Sequence, residues 1–449
     1  MKIRKSASFL FVTLLWSVFL SFLPMTTASA EENFFIEANA AFAIEADSGK
    51  ILYNQDGDSP LGIASVTKIL SMYLVLEEVS KGKITMDDQV GISEYAAYLS
   101  SIKDFSNVPL SQGQTYSVRE LYHASMIESA NAAVVALAEH IVGSETAFID
   151  MMLAKLQSWG ITDATLVTSS GLSASDVGLE NSYPGSVEGQ ENMMSAKDVA
   201  LVTYHLINEH PEILEASKII NEVFSHGTET ETEMTNWNWL LPGHLNTKDG
   251  VDGLKTGTTD FAGACFVGTI ERDGVRLITV VLGATNDETN IAARFTETDR
   301  LMEYCYANWQ LREILVANKE IPNLTTLAVP YGKELTVPIA LKSNVTTWLR
   351  NDMNPENINI IPTFDNTLVT DGEIAAPVQQ DMPVGLATIQ VVEEDLGYIV
   401  NAPVLTTEIV ATKEVKKVNF FVRLWRNIKK FFSNLFGMIL PSTLLTIKE

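Results

Sequence analysis

Cysteine and positive charge are what this chain has least of. Only Cys265 and Cys305 occur in 449 residues, too few for a disulfide framework, and their strand-like and helix-like settings favour two buried thiols over a bonded pair. No grouping of histidine, cysteine and carboxylates has metal-ligand spacing, so no metal is expected. A phosphate loop is absent too: Leu254, not a glycine, precedes Lys255-Thr256-Gly257, and no cofactor is expected. Lysine and arginine number 31 against 56 acidic residues, a formal charge of −25, which argues against a nucleic-acid partner. Long apolar runs are equally scarce. The run over residues 9–23 is short for a bilayer span. It follows Lys2, Arg4 and Lys5 and precedes Ala28-Ser29-Ala30, the arrangement of a cleavable secretory leader. Residues 1–30 are expected to be removed, leaving Glu31 first and a net charge of −28.

Against these absences stand three short strings in a fixed order: Ser65-Val66-Thr67-Lys68, Ser129-Ala130-Asn131 and Lys255-Thr256-Gly257. A lone Ser-x-x-Lys carries little information, and Ser80 to Lys83 and Ser100 to Lys103 match it as well. The first of these contains Gly82 and reads as a helix C-terminus; the second is turn-like, and both are expected on the surface. Ser65 instead opens the apolar stretch 69–76, a predicted buried helix. A lysine three residues on shares the serine's face, and burial together with the positive end of the helix dipole favours a neutral amine able to act as a base. The other two strings are each unique in the chain. Ser129 falls between two helix-like segments, on a short connection expected to face a cleft. Lys255 lies in a β-compatible stretch in which Gly257 would let a substrate lie alongside.

Residues 31–310 hold all three strings, with strands at both ends and helices between. The hairpin 262–282, turning at Glu271-Arg272-Asp273-Gly274, is predicted antiparallel, with a helix over 299–309 packed on it. Residues 311–412 change to short strand-like runs broken by proline and glycine, a small β-rich domain with no chemistry of its own. It would serve as a stalk, a pedestal or a contact surface for other proteins. Residues 413–449 carry the dense positive charge the rest lacks. Phe421, Leu424, Trp425, Ile428, Phe431, Phe432, Leu435 and Ile439 step by three and four among Lys416, Lys417, Arg423, Arg426, Lys429 and Lys430. This is a basic amphipathic helix, expected to lie on anionic lipid rather than to span it.

With the three strings, residues 41–53, Ser169-Ser170-Gly171-Leu172, residues 194–200, residues 236–241 and Asp252-Gly253-Leu254 make the sequence resemble the low-molecular-weight penicillin-binding proteins, specifically the D-alanyl-D-alanine carboxypeptidases. The resemblance implies an α+β, β-lactamase/transpeptidase-like catalytic domain, an antiparallel sheet beside a helical cluster, followed by a small all-β domain. It implies that Ser65 attacks the penultimate D-alanine carbonyl of a peptidoglycan stem peptide, with Lys68 as general base, and that β-lactams acylate the same serine. Backbone N–H groups of Ser65 and Thr258 would form the oxyanion hole, Ser129 would pass a proton to the leaving nitrogen, and Asn131 would hold a substrate amide. Lys255, Thr256, Gly257 and Thr258 would receive the substrate and its carboxylate, with Arg294 as a helper. Such an enzyme would work outside the cytoplasmic membrane. Two other classes fit the strings: a serine β-lactamase, which needs a water-activating carboxylate that cannot be assigned between Asn131 and Lys255, and a catalytically idle wall scaffold, which has no need of Ser65, Lys68, Ser129 and Lys255 together. Two departures from the family stand out. Residues 173–192 are long and acidic and read as an inserted surface loop, and Trp237 stands between two asparagines where some relatives carry arginine.

Overall fold

The computed structural model describes residues 34–285, 290–318, 321, 324–353, 357–392 and 396–439. The expected leader and Glu31 lie outside the described residues. The chain divides into two compact units, Met1–Ile36 and Glu37–Glu449. Of the first, residues 34–36 are described and have no regular structure; all that follows concerns the second.

Its first sheet has five strands. β1 (Ala38–Glu45) and β2 (Ile51–Gln55) come from the start of the unit, and β3 (Val251–Thr259), β4 (Gly263–Arg272) and β5 (Val275–Ala284) from two hundred residues later. The spatial order is β2-β1-β5-β4-β3, every neighbouring pair antiparallel. The predicted hairpin is β4–β5. Its two-residue turn places Asp273 at φ 53° and Gly274 at φ 78°, the left-handed pair that matches the twist of the flanking strands. β3 ends up as an edge, so a strand carrying Lys255, Thr256 and Gly257 has one side unclaimed by the sheet.

Between β2 and β3 lies the helical cluster. α1 (Lys68–Ser80), α2 (Val118–Ile127), α3 (Asn131–Val142), α4 (Glu145–Ser158) and α5 (Ala196–Glu209) share one apolar core with β1, β4 and β5. α1 is buried from Lys68 through Leu76, as its all-round apolar pattern predicts. α2 opens on a capping box in which Ser117 and Glu120 satisfy each other's backbone.

Three sequence expectations need correction, two of them in this part of the unit. The helix predicted over 299–309 is α6 (Ala293–Asn308) and starts six residues earlier. Its start is held by burial of Ala293, Phe295, Glu297 and Thr298, and the burial of the last two is not advertised by their polar side chains. Residues 173–192 are not simply a surface loop. The stretch 184–189 is largely exposed, yet Ser173, Glu191 and Asn192 are buried. Asn192 Oδ1 accepts from the backbone N–H of Val167 at 2.6 Å and its Nδ2 donates to Thr67 Oγ1 at 2.9 Å, so the loop's end is a strut under the first string.

Beyond α6 the chain turns directly into strand Trp309–Leu315, which pairs with Val345–Arg350. A seven-stranded sheet builds a second core from residues such as Val337, Ile339, Ala387 and Ile409. Trp309 ties the two parts, its Nε1 donating to Leu52 O at 2.8 Å. The β-rich part does not stop at Thr412: Val415 is buried and exchanges two backbone hydrogen bonds with Val378 at 2.9 and 3.0 Å. The described part of the tail ends in α7 (Phe420–Ile439). Cys265 and Cys305 are both buried and free, as expected.

Candidate active site

The first string begins in a 3-10 turn, Ala64–Thr67, which passes into α1 at Lys68. Ser65 therefore stands one turn ahead of the regular helix, half-buried, with Lys68 below it. Two glycines allow other backbones to reach this turn. A Cβ on Gly171, at φ +92°, would lie 2.0 Å from Ala64 O, and one on Gly257 would lie 2.7 Å from Ile63 O and 3.1 Å from Ser65 N. Both distances forbid any side chain unless the turn moves.

Lys68 is fully buried, and its Nζ has three partners: Ser65 Oγ at 2.9 Å, Asn131 Oδ1 at 2.6 Å and Ser170 O at 2.7 Å. Two of these, an amide oxygen and a carbonyl oxygen, can only accept. A neutral amine has two N–H bonds and one lone pair, so those acceptors take both hydrogens and the lone pair is left facing the Ser65 hydroxyl. Burial, with the Lys255 ammonium adding to it, holds the Lys68 amine well below the ordinary lysine range. The orientation of Asn131 agrees, because its Nδ2 donates to Ser106 O at 3.2 Å.

Ser129 sits between α2 and α3 at φ +64°, a left-handed conformation that a serine holds only when its surroundings impose it. Ala130 N donates to Ala124 O and Asn131 N to Ser106 O, both at 3.0 Å, and these bonds clamp the residue from either side. Lys255 on β3 is buried, and its Nζ donates to Thr256 O at 3.1 Å. Burial, reinforced by the Arg294 guanidinium and opposed by Glu128, lowers it to about 7. Arg294 reaches from α6 to donate to Gly257 O at 2.8 Å and Cys265 O at 3.2 Å, fixing the helix to the edge strand.

These elements enclose a cavity of about 400 Å³. Ser65, Ser129, Thr256, Gly257, Thr258 and Arg294 line it; Lys68 and Asn131 lie behind Ser65, and Lys255 is buried within β3. All nine residues singled out in the sequence therefore meet at one place. Trp237 and Trp239, from the stretch 236–241 that carried part of the resemblance, form more of the wall, and the sequence did not point to the rest of it: Ser106, Ile291 and Phe295. Trp239 stacks on Phe295 with ring centroids 5.4 Å apart, and half-exposed Trp237 donates its Nε1 to Glu128 O at 3.3 Å. Ser106 and Ser170 contribute carbonyl oxygens, which no residue type signals. Among the described residues no group of three or more histidine, cysteine or carboxylate side chains could hold a metal ion. Among those that line the cavity none is a carboxylate.

Comparison with known proteins agrees with this geometry. A family model described as D-alanyl-D-alanine carboxypeptidase matches residues 25–286, and one described as the C-terminal domain of penicillin-binding protein 5 matches residues 309–417. The D-alanyl-D-alanine carboxypeptidase DacF of Bacillus subtilis is 28% identical over 394 residues, 87% of this chain and 89% of that one. DacC of Escherichia coli, another D-alanyl-D-alanine carboxypeptidase, is 28% identical over 94% of this chain and 96% of its own length. Among solved structures, a peptidoglycan synthesis regulatory factor, PBP3, of Streptococcus pneumoniae superposes with a TM-score of 0.67 at 38% identity, covering 85% of this chain and all of that one.

Proposed function

Since this chain belongs to the D-alanyl-D-alanine carboxypeptidase family of low-molecular-weight penicillin-binding proteins, and is a hydrolase acting as a carboxypeptidase, we propose that it works through an acyl-enzyme on Ser65. The observation that carries this reading is the threefold coordination of Lys68 Nζ by Ser65 Oγ and two oxygens that can only accept; in the neutral amine those two take both hydrogens and the lone pair faces Ser65 Oγ.

The terminal D-alanine of a stem peptide enters beside β3, its carboxylate near Thr256, Thr258 and Lys255. That anion favours the ammonium form of Lys255, so binding charges the group that holds it. Lys68 takes the Ser65 proton as Oγ attacks the penultimate carbonyl carbon. The oxyanion is met by the backbone N–H groups of Ser65 and Thr258, where preorganised donors meet developing charge best. The C–N bond breaks as the Lys68 ammonium returns its proton through the Ser129 hydroxyl to the departing nitrogen, and D-alanine leaves with Lys68 neutral once more. Asn131, besides orienting Lys68, holds a substrate amide. Water then attacks the ester, with Lys68 again the base, and Ser65 is regenerated.

A β-lactam presents a strained amide to the same oxygen. Among the described residues that line the cavity none is a carboxylate that could activate water, so the adduct should persist, which favours the carboxypeptidase over a β-lactamase. The test is intact-mass measurement after penicillin treatment, with D-alanine release from a D-Ala-D-Ala peptide assayed in parallel. One adduct per chain, mapped to Ser65 and lost together with D-alanine release in Ser65→Ala, is expected. Rapid multiple-turnover penicillin hydrolysis would instead make it a lactamase, and neither adduct nor turnover would leave a scaffold.

The same reading extends to location. We propose that residues 1–30 direct export and that α7 lies on anionic lipid at the outer face of the cytoplasmic membrane. In support, Phe421, Trp425 and Phe431 are exposed on a helix with basic residues between them. Arg426 donates to Gly332 O at 2.7 Å and Arg423 lies over the Tyr331 ring, contacts that tether the start of α7 to the β-rich part.

A further inference from the structure

We propose that Glu145 is a positioning residue for this reaction: by gripping Ser169 it fixes the Ser170 carbonyl that aims Lys68 at Ser65. The inference rests on the roles given above to Ser65 and Lys68.

Glu145 opens α4, next to its cap Ser144, and only 7% of it is exposed. A carboxylate in such a place is costly unless hydrogen-bonded. Its Oε1 accepts from Ser169 N at 2.8 Å and from Ser169 Oγ at 2.7 Å. On the other side of the same residue, Ser169 O accepts from Ser71 Oγ at 2.5 Å, and the next carbonyl, Ser170 O, accepts from Lys68 Nζ at 2.7 Å. Lys68 and Ser71 are one helical turn apart on α1, so α1 holds the carbonyl side of residues 169–170 while α4 holds the N–H side. Asn192 holds the preceding Thr168 and Thr168 Oγ1 accepts from Gly171 N, but without Glu145 residues 169 and 170 themselves would be held at their carbonyls alone, next to a glycine with no room for a side chain against the nucleophile turn.

The path from Glu145 to Lys68 is mechanical. What depresses the Lys68 amine is its burial and the Lys255 ammonium. The ionisable groups acting on Glu145 and on its neighbour Tyr95 lie elsewhere: Glu139 on α3 bears on both, and Tyr95, in the helix Glu94–Ser100, feels Glu145 in turn. Glu145 Oε2 has no partner among the described residues, so the second oxygen adds nothing to the grip. An amide oxygen should therefore serve as well as a carboxylate.

The test uses the purified mature chain and the rate of Ser65 acylation by a fluorescent penicillin, followed across pH together with melting temperature. Glu145→Ala is expected to slow acylation roughly 100-fold, the scale of a misplaced reacting group. The acid limb of its profile should move to lower pH, because a carbonyl withdrawn from Nζ no longer stabilises the ammonium. Glu145→Gln should restore both rate and limb, and Ser169→Ala, which loses one of the two bonds to Oε1, should fall between. A role in stability alone would lower the melting temperature and leave rate and limb in place, and that outcome overturns the proposal. So does Glu145→Gln behaving like Glu145→Ala, which would assign the effect to charge. If Glu145→Ala does not fold, an unchanged rate and limb in Ser169→Ala overturns it. A wild-type chain that penicillin does not acylate would overturn the reading of Ser65, and this inference with it.

Discussion

Two buried lysines stand in this site for different reasons, and substitution should separate them. Lys68 is depressed because burial and a neighbouring ammonium disfavour its charged form, and the proposed reaction needs that neutral form. As pH falls through its depressed value the amine gains a proton and can no longer take one from Ser65, so acylation should fall on the acid side. Arginine stays protonated at any workable pH. Lys68→Arg is therefore expected to abolish acylation, by a factor of about 1000 or more, with the chain still folded by circular dichroism. Lys255→Arg should be milder, roughly tenfold in D-alanine release and mostly in KM, since a carboxylate tolerates a fixed cation. Equal loss in both would show that the two lysines share one task.

The elements matter here chiefly for where they let backbones approach. β3 can lie against the 3-10 turn because residue 257 has no side chain, and residues 169–172 can lie beneath it because residue 171 has none. Gly171→Ala combines a strained left-handed φ with a Cβ 2.0 Å from Ala64 O. Strain alone costs about 1–3 kcal/mol, and relief of the clash requires Ser65 to shift. Both a lower melting temperature and loss of penicillin binding are expected. Gly91→Ala, which has nothing within 4 Å of its Cβ, is the control and should be silent in both measurements.

At the scale of the molecule, two cores lie in one compact unit, joined where Trp309 donates to Leu52 O. A truncation that tests the tail must respect Val415 and the bond from Val418 N to Tyr331 O at 3.0 Å. A chain ending at Asn419 should therefore keep its melting temperature and its turnover of small peptides, and should lose sedimentation with anionic vesicles. Co-sedimentation equal to that of the full mature chain would end the lipid hypothesis for α7. A cut at Thr412 should instead lower the melting temperature, because it strips Val415 from the second core.

The sequence by itself determined the proposed reactive set. Ser65, Lys68, Ser129, Asn131 and Lys255 are side-chain chemistry at fixed local spacing, and local spacing survives folding. Alternation and turn residues likewise announced β4–β5, and an all-round apolar run announced α1. Only the tertiary structure decided what acts through the backbone or across long separations. Ser106 and Ser170 serve as carbonyls, a group every residue carries, so their residue types are silent. Trp239 and Phe295 became one wall because the start of α6 lies against β3, where Arg294 bonds Gly257 O, and Glu297 and Thr298 just after it are buried although polar. Asn192 and Glu145 each bond to a partner 24 or more residues away. Such contacts depend on which loops the packed core brings together, and a one-dimensional pattern contains that only once the chain has closed on itself.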